Sequence, residues 1–388
     1  MQHALRFLLV PAVLGLHAGC GDDLEPLDEV APVCDQEAAA ACLVNQHACE
    51  LDGEVARCVP CELGEYATAS GTCAAIAGTP LHHSFTEFET ASGEEVLGLC
   101  QSWTLDNDEP LLVNAVELQQ NEASHHSNWT FVPDGRFDGP DGVWPCDERN
   151  YDQLSAALAG GVLYAQSTQA SKEVQKFPDG AVVRLPAHAR IIGDVHLLNP
   201  TDHPISGRVE MTLYSLAAAD VRVELAPFHL TYDTLDIPPR STSRFTGECD
   251  LSEPFEDAAG TPLAMTLYYA LPHTHALGSR FFFEVVGGPD DGKSLLDVEG
   301  FNSEARGRLY DPPLDLAGAT GLRFGCEFDN PRNESVHWGF GDQEMCEMLG
   351  FAEMDIIFES RVNEANADGA DGDTQLFTGP CSTLAIGR

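Results

Sequence analysis

Two histidines at alternate positions stand out in the segment Leu271-Pro272-His273-Thr274-His275-Ala276-Leu277-Gly278. Apolar runs flank it, Met265 to Ala270 before and Phe281 to Val286 after, so it falls where one β-strand passes into another. In an extended chain residues i and i+2 share a face, which aims both imidazoles at one point and makes half of a metal site. Taken alone, such a pair reads as a polar strand end, because short motifs recur by chance. The rest of the chain decides between the readings.

Ser124-His125-His126-Ser127 supplies two adjacent imidazoles. They point to opposite faces of a regular strand and converge only at a bend, a bulge or a strand end. His82-His83 has the same local appearance, and the two pairs are not separable on these grounds. His196 lies inside the apolar strand pattern Gly193-Asp194-Val195-His196-Leu197-Leu198, where a core histidine with one satisfied hydrogen bond is the ordinary reading. Met345, in Gly341-Asp342-Gln343-Glu344-Met345-Cys346-Glu347, has polar neighbours, which is unusual for a core-filling methionine. A thioether beside two imidazoles suits soft Cu(I), whereas three imidazoles suit copper or zinc.

The elements that must position these residues are strands. From about residue 80 the chain consists of short β-type segments punctuated by Gly, Pro, Asn and Asp, among them Ala181 to Leu185, Ile191 to Leu198, Gly207 to Tyr214 and Val221 to Leu225. That texture predicts an all-β fold of two jelly-roll-like β-sandwich domains, over 79–226 and 227–388, with the break running from Ala226-Pro227 to Pro238-Pro239. Only Asp152 to Leu163 shows helical periodicity, and its Gly160-Gly161 pair weakens that.

Ahead of the sandwiches, Cys34, Cys42, Cys49, Cys58, Cys61 and Cys73 crowd into 34–78, a density that suits a small disulfide-stapled module. In that setting Cys58-Val59-Pro60-Cys61 reads as part of a structural framework rather than a zinc half-site or a redox motif. Residues 21–33 are acidic and proline-bearing and read as a tether. Residues 1–20 read as a signal peptide: His3 and Arg6 precede the apolar run Phe7 to Leu16, and His17-Ala18-Gly19-Cys20 resembles a bacterial lipoprotein cleavage site. Cys20 would then carry the lipid, although His17 stands where an aliphatic residue is usual; plain secretion is the alternative. Thirteen cysteines point to an exported protein, with Cys20 the odd one and twelve left for bridges. The net charge of −42 argues against nucleic acid or anionic lipid as partner. No apolar run reaches the ~18 residues of a membrane span, so membrane association is expected only through lipid on Cys20.

The ordered set His125-His126, His196, His273-Thr274-His275 and Glu344-Met345-Cys346 resembles the type II copper, ascorbate-dependent monooxygenases, the family of peptidylglycine α-hydroxylating monooxygenase and dopamine β-monooxygenase. The resemblance covers about residues 80 to 385 and implies two copper ions per chain, in two jelly-roll-like domains. It assigns His125, His126 and His196 to an electron-transfer copper, and His273, His275 and Met345 to a copper that activates O2. It further implies ascorbate or a similar reductant, a small-molecule substrate hydroxylated at a C–H bond, and bridges Cys100–Cys146, Cys326–Cys346 and Cys249–Cys381. The segment Trp144-Pro145-Cys146-Asp147-Glu148 resembles the one that follows the family's histidine pair, which favours His125-His126 over His82-His83.

The departures lie at the substrate end. Leu271 stands where the peptide-hydroxylating branch has a carboxylate-binding arginine, and Glu347 and Leu349 replace its asparagine and tyrosine. Without that bidentate clamp a glycine-extended peptide does not fit. Glu347 suits a cationic amine instead, although a surface carboxylate is its ordinary reading. A copper-binding surface lipoprotein that stores, senses or scavenges the metal without turnover uses the same ligands.

Overall fold

The computed structural model describes residues 34–43, 45–121, 124–166, 170–300, 307–339 and 342–388. The expected signal peptide, Cys20 and the acidic tether lie outside the described residues.

The N-terminal module is a helix, α1 (Gln36–Leu43), against a hairpin of His47–Asp52 and Val55–Pro60. Its bridges are Cys34–Cys49, Cys42–Cys58 and Cys61–Cys73, so the Cys58/Cys61 pair belongs to two different disulfides. With so small a core, cross-links that restrict the unfolded chain carry much of the stability. The module is fastened to the first sandwich by Lys172. Its ammonium donates to the carbonyls of Cys61 and Glu65 at 3.0 and 2.9 Å and to that of Glu62, and pairs with the buried Glu117 at 3.2 Å. Glu117 also accepts from Tyr214 Oη at 2.8 Å and Gly64 N at 3.1 Å. Lys172→Met strands that carboxylate without its cation, a change that costs about 3–5 kcal/mol at buried pairs. Limited proteolysis is therefore expected to cleave within 34–78 of the variant well before the wild type.

In the first sandwich a five-stranded sheet runs in the order Gly142–Pro145, β1 (Glu95–Thr104), β3 (Arg190–Leu198), β2 (Ser124–Val132), Gly161–Ala165. It faces a six-stranded sheet centred on Leu111–Gln119. The second sandwich is one hydrogen-bonded path folded into two layers. Thr374–Gly387 belongs to both: residues Thr374 to Pro380 pair in parallel with Ser241–Asp250, and Cys381 to Gly387 pair antiparallel with Ile356–Val362. The Cys249–Cys381 bridge sits at that corner. The layer that continues from it carries β4 (Ala226–Thr231), β6 (Cys346–Glu353) and β5 (Thr266–Thr274) in that spatial order, with Arg308–Asp315 at its margin. The fold is thus all-β, two jelly-roll-like sandwiches behind a disulfide-rich module. Six disulfides hold all the cysteines from Cys34 onward, the mark of an oxidising compartment. Among the described residues no helix is long and apolar enough to cross a membrane.

Two expectations about helices need correction. The helix expected over Asp152 to Leu163 is shorter, α2 (Gln153–Ala159): Asp152 caps it by accepting from Ser155 N at 2.7 Å, and Gly161 already begins a strand. Two further helices were not expected, α1 and α3 (Ser252–Ala259). Each spans only eight residues; α1 offers no clear apolar stripe, and that of α3 is limited to Phe255 with the small Ala258 and Ala259. Pro227 lies in β4, the first strand of the second sandwich. It stands near the strand's start, one residue before the parallel pairing with Ile356–Val362 begins at Phe228, where a missing N–H is tolerated.

The two sandwiches share a core. Tyr269, Leu271, Leu349 and Phe351, on β5 and β6, are buried among first-sandwich side chains, with Phe177 at 5.1 Å from Phe351 and 6.1 Å from Tyr269 between ring centroids. Because alternate residues share a face, His273 points the same way as Tyr269 and Leu271, toward the first sandwich.

Candidate metal centre

The β5–β6 register builds one donor set. Opposite partners are Pro272 with Met348, His273 with Glu347 and Thr274 with Cys346, where the pairing ends one residue short of His275 on one strand and of Met345 on the other. The rings of His273 and His275 lie 5.1 Å apart and nearly perpendicular. Met345 is buried, and the Cys326–Cys346 bridge pins its loop to the opposite layer. Glu344, also buried, clamps the turn: its two carboxylate oxygens accept from His275 N at 2.9 Å and Leu277 N at 2.6 Å. His275 Nδ1–H donates to the Gln343 carbonyl at 2.8 Å, which places the lone pair of that tautomer on Nε2. Burial, with His275 and His125 nearby, drives the His273 pKa down to about 4, so the ring is a neutral donor at neutral pH.

The second set depends on irregular pairing. Between β3 and β2, His196 pairs with His126 but Leu197 pairs with Ser124, which makes His125 the extra residue of a β-bulge. Between β3 and β1, Val195 pairs with Leu99 and Leu197 with Val96, so Leu97 and Gly98 together oppose His196. Gly98 has φ +67°, a conformation that glycine reaches without a Cβ penalty. The bulge that adjacent histidines require for convergence is therefore present, and the rings of His125 and His196 lie 4.7 Å apart. The His126 side chain lies outside the described residues, although its backbone pairs with His196. Burial first, then the nearness of His196 and His275, lowers the His125 pKa to about 4.

A cavity of about 460 Å³ lies between the sandwiches and is lined by His273 and Met345 of the one set. From the first sandwich Asn128 of β2 and Asp194 of β3 also line it, Asp194 standing two residues before His196 on its strand. Leu154, Leu158, Leu271, Trp338, Leu349 and Phe358 make much of its wall apolar. The pair His82-His83 forms no such centre: His82 Nδ1 bonds Thr212 Oγ1 at 3.1 Å, and His83 stacks on Trp103 at 4.4 Å.

Among the described residues no three His, Cys, Asp or Glu side chains converge to hold an ion by themselves. Each set offers two imidazoles among the described side chains, and the third donor would be the His126 ring in one and the Met345 thioether in the other. The donor chemistry fits copper: neutral imidazoles, one thioether, and every described cysteine committed to a disulfide.

Of the other side chains near His273 and Met345, Glu347 carried a signal in the sequence and His229, Glu359 and Arg361 did not. Glu347 is not the surface carboxylate of its ordinary reading; it accepts from Trp338 Nε1 at 3.2 Å and lies 3.6 Å from His229 Nε2. His229 Nδ1 is 3.2 Å from Glu359 Oε1, and Arg361 donates to Glu359 at 2.7 Å and to Asp233 at 3.0 Å. Burial alone would lower the His229 pKa, but Glu347 and Glu359 raise it to about 9. Burial alone would raise that of Glu347, but His229 holds it at about 2. His229 thus stabilises the fold fully below its ordinary 6.5 and loses that contribution as pH climbs through about 9. Glu347 contributes fully above its ordinary 4.5 and loses it as pH falls through about 2. The melting temperature of metal-free protein is expected to decline between pH 6.5 and 9, and His229→Asn to lower it and flatten that decline, as read by scanning calorimetry.

No family model matches the chain, and no curated protein matches it. Among solved structures, the chain is similar to the major capsid protein P2 from Bacteriophage PM2, at 10% identity over 71% of this chain and 97% of that one, with a TM-score of 0.33. It is similar to the PBSX exported protein XepA at 8% identity, over 79% of this chain and 98% of that one, with a TM-score of 0.18. A tail fiber protein from an E. coli phage shows 11% identity over 73% of this chain and 38% of that one, with a TM-score of 0.20. Likenesses this weak carry no argument about function.

Proposed function

We propose that this chain is an exported dicopper monooxygenase that hydroxylates a C–H bond of a small molecule, with O2 as co-substrate and ascorbate or a similar reductant. Substrate, O2, two electrons and two protons give hydroxylated substrate and water. The observation that carries the reading is the pairing of imidazoles, His125 with His196 in one sandwich and His273 with His275 in the other, with His273 and the Met345 thioether lining one interdomain cavity. Copper, when bound, supplies the oxygen and electron chemistry. The protein's own part is positional. The Cys326–Cys346 bridge and Glu344 hold the Met345 loop against the HxH turn, so a weak thioether ligand is in place before metal arrives. The apolar wall excludes water, and Glu347 with its partners favours a substrate bearing an amine. Export, with lipid on Cys20 as the anchor or with release into the medium, belongs to the same proposal.

The test is O2 uptake by copper-loaded protein with ascorbate, against a panel of amines, peptides and alkyl compounds. Uptake that depends on one of these and yields its hydroxylated product supports the enzyme. Full copper loading without any such uptake assigns the chain to metal storage, sensing or scavenging.

A further inference from the structure

Behind His196 stands a carboxylate that none of the ligand assignments includes. Glu95 lies at the start of β1 and pairs in register with Leu198, two residues beyond His196. The doubled Leu97-Gly98 step opposite His196 gives β1 the slack to return Glu95 toward the ring, and Glu95 Oε1 reaches 2.8 Å from His196 Nε2. His196 is 7% exposed and the Glu95 side chain 39%, so the contact joins a buried ring to a carboxylate at the surface.

The two donor sets are therefore backed differently. An imidazole whose Nε2–H donates to a carboxylate is held in one tautomer, presents its lone pair on Nδ1, and gains donor strength from the anion behind it. His275 leans on a neutral acceptor, the Gln343 carbonyl, and shares its set with a thioether. A carboxylate one ring away from a metal favours the more highly charged oxidation state, and a thioether favours Cu(I).

We infer, on the basis of the dicopper reading, that Glu95 is a positioning residue of a carboxylate–histidine–metal triad that biases the His125/His126/His196 centre toward Cu(II). Such a bias would suit this centre to give an electron and the thioether centre to receive it, with an external reductant such as ascorbate restoring the first.

The test uses the full chain carrying His273→Ala and His275→Ala, so that only the first centre is read, with Glu95 intact or changed to Gln or Asp. Cu(II) affinity is measured by ligand competition and paramagnetic resonance, and Cu(I) affinity by competition with bathocuproine disulfonate. Glu95→Gln is expected to weaken Cu(II) binding about 10–100-fold, the usual effect of losing such a partner, with a much smaller change for Cu(I). Glu95→Asp is expected to restore part of the difference. Equal weakening of both oxidation states, or no change in either, overturns the inference while copper binding by the parent leaves the dicopper reading standing. A parent that binds no copper overturns both.

Discussion

Met345→Ile is expected to lower substrate-dependent O2 uptake by about 10²-fold or more while the protein keeps its fold and about one of its coppers. Isoleucine is apolar and close to methionine in volume, and the position is buried beside a bridge that fixes its backbone, so the packing change is small. The chemical change is large: the thioether, the soft donor proposed for this set, is gone, and two imidazoles remain. The first donor set lies on β2 and β3 of the other sandwich and does not use this loop. Oxygen-electrode rates, metal analysis and a melting curve on the same preparation separate the outcomes. Retained hydroxylation in Met345→Ile contradicts the thioether assignment, and loss of both coppers makes the loop a support for the whole centre.

The second large effect lies between the sandwiches. Phe351 is fully buried, packs on Phe177 at 5.1 Å, and belongs with Tyr269 and Leu271 to the face that turns His273 toward the first sandwich. Phe351→Ala removes a ring from that shared core, a deletion that typically costs about 3–5 kcal/mol. Because the cavity is walled by both sandwiches, the predicted signature is joint: earlier unfolding in urea, and a fall in coupled turnover larger than the fall in copper content. A variant that loses stability but keeps its turnover per bound copper indicates that the interface supports the fold without setting the distance between the centres.

How much of this could be read from the amino-acid order differs by interaction range. Strands with a buried alternation were legible, and Ala181–Leu185 has the bounds read for it. The expected run Gly207 to Tyr214 divides instead, because Gly207 closes a pairing with Phe88 while Glu210–Ser215 joins the large sheet. Likewise Val221 to Leu225 yields only the two-residue strand Val223–Glu224, a short parallel partner of Ala181–Leu185. The HxH face was legible because period-2 alternation is local. The bulge at His125 was not, since it arises from the joint register of β1, β2 and β3, elements far apart in sequence. Glu95, His229 and Glu359 went unnoticed for a related reason. Each is a polar residue on a strand, and only a partner about 100 or more positions away gives it meaning, as Glu95 and His196 at a separation of 101 illustrate.

The strand Thr374–Gly387, common to both layers of the second sandwich and stapled at its bend by Cys249–Cys381, works as a book's spine. The covers farthest from that spine, Ser294–Glu299 and Arg308–Asp315, are the two ends of the hydrogen-bonded path. The HxH strand is next to the second of these. The candidate imidazoles of this lobe thus sit one strand from a free edge, while the Met345 loop is fastened to the facing page through the neighbouring Cys326–Cys346 bridge.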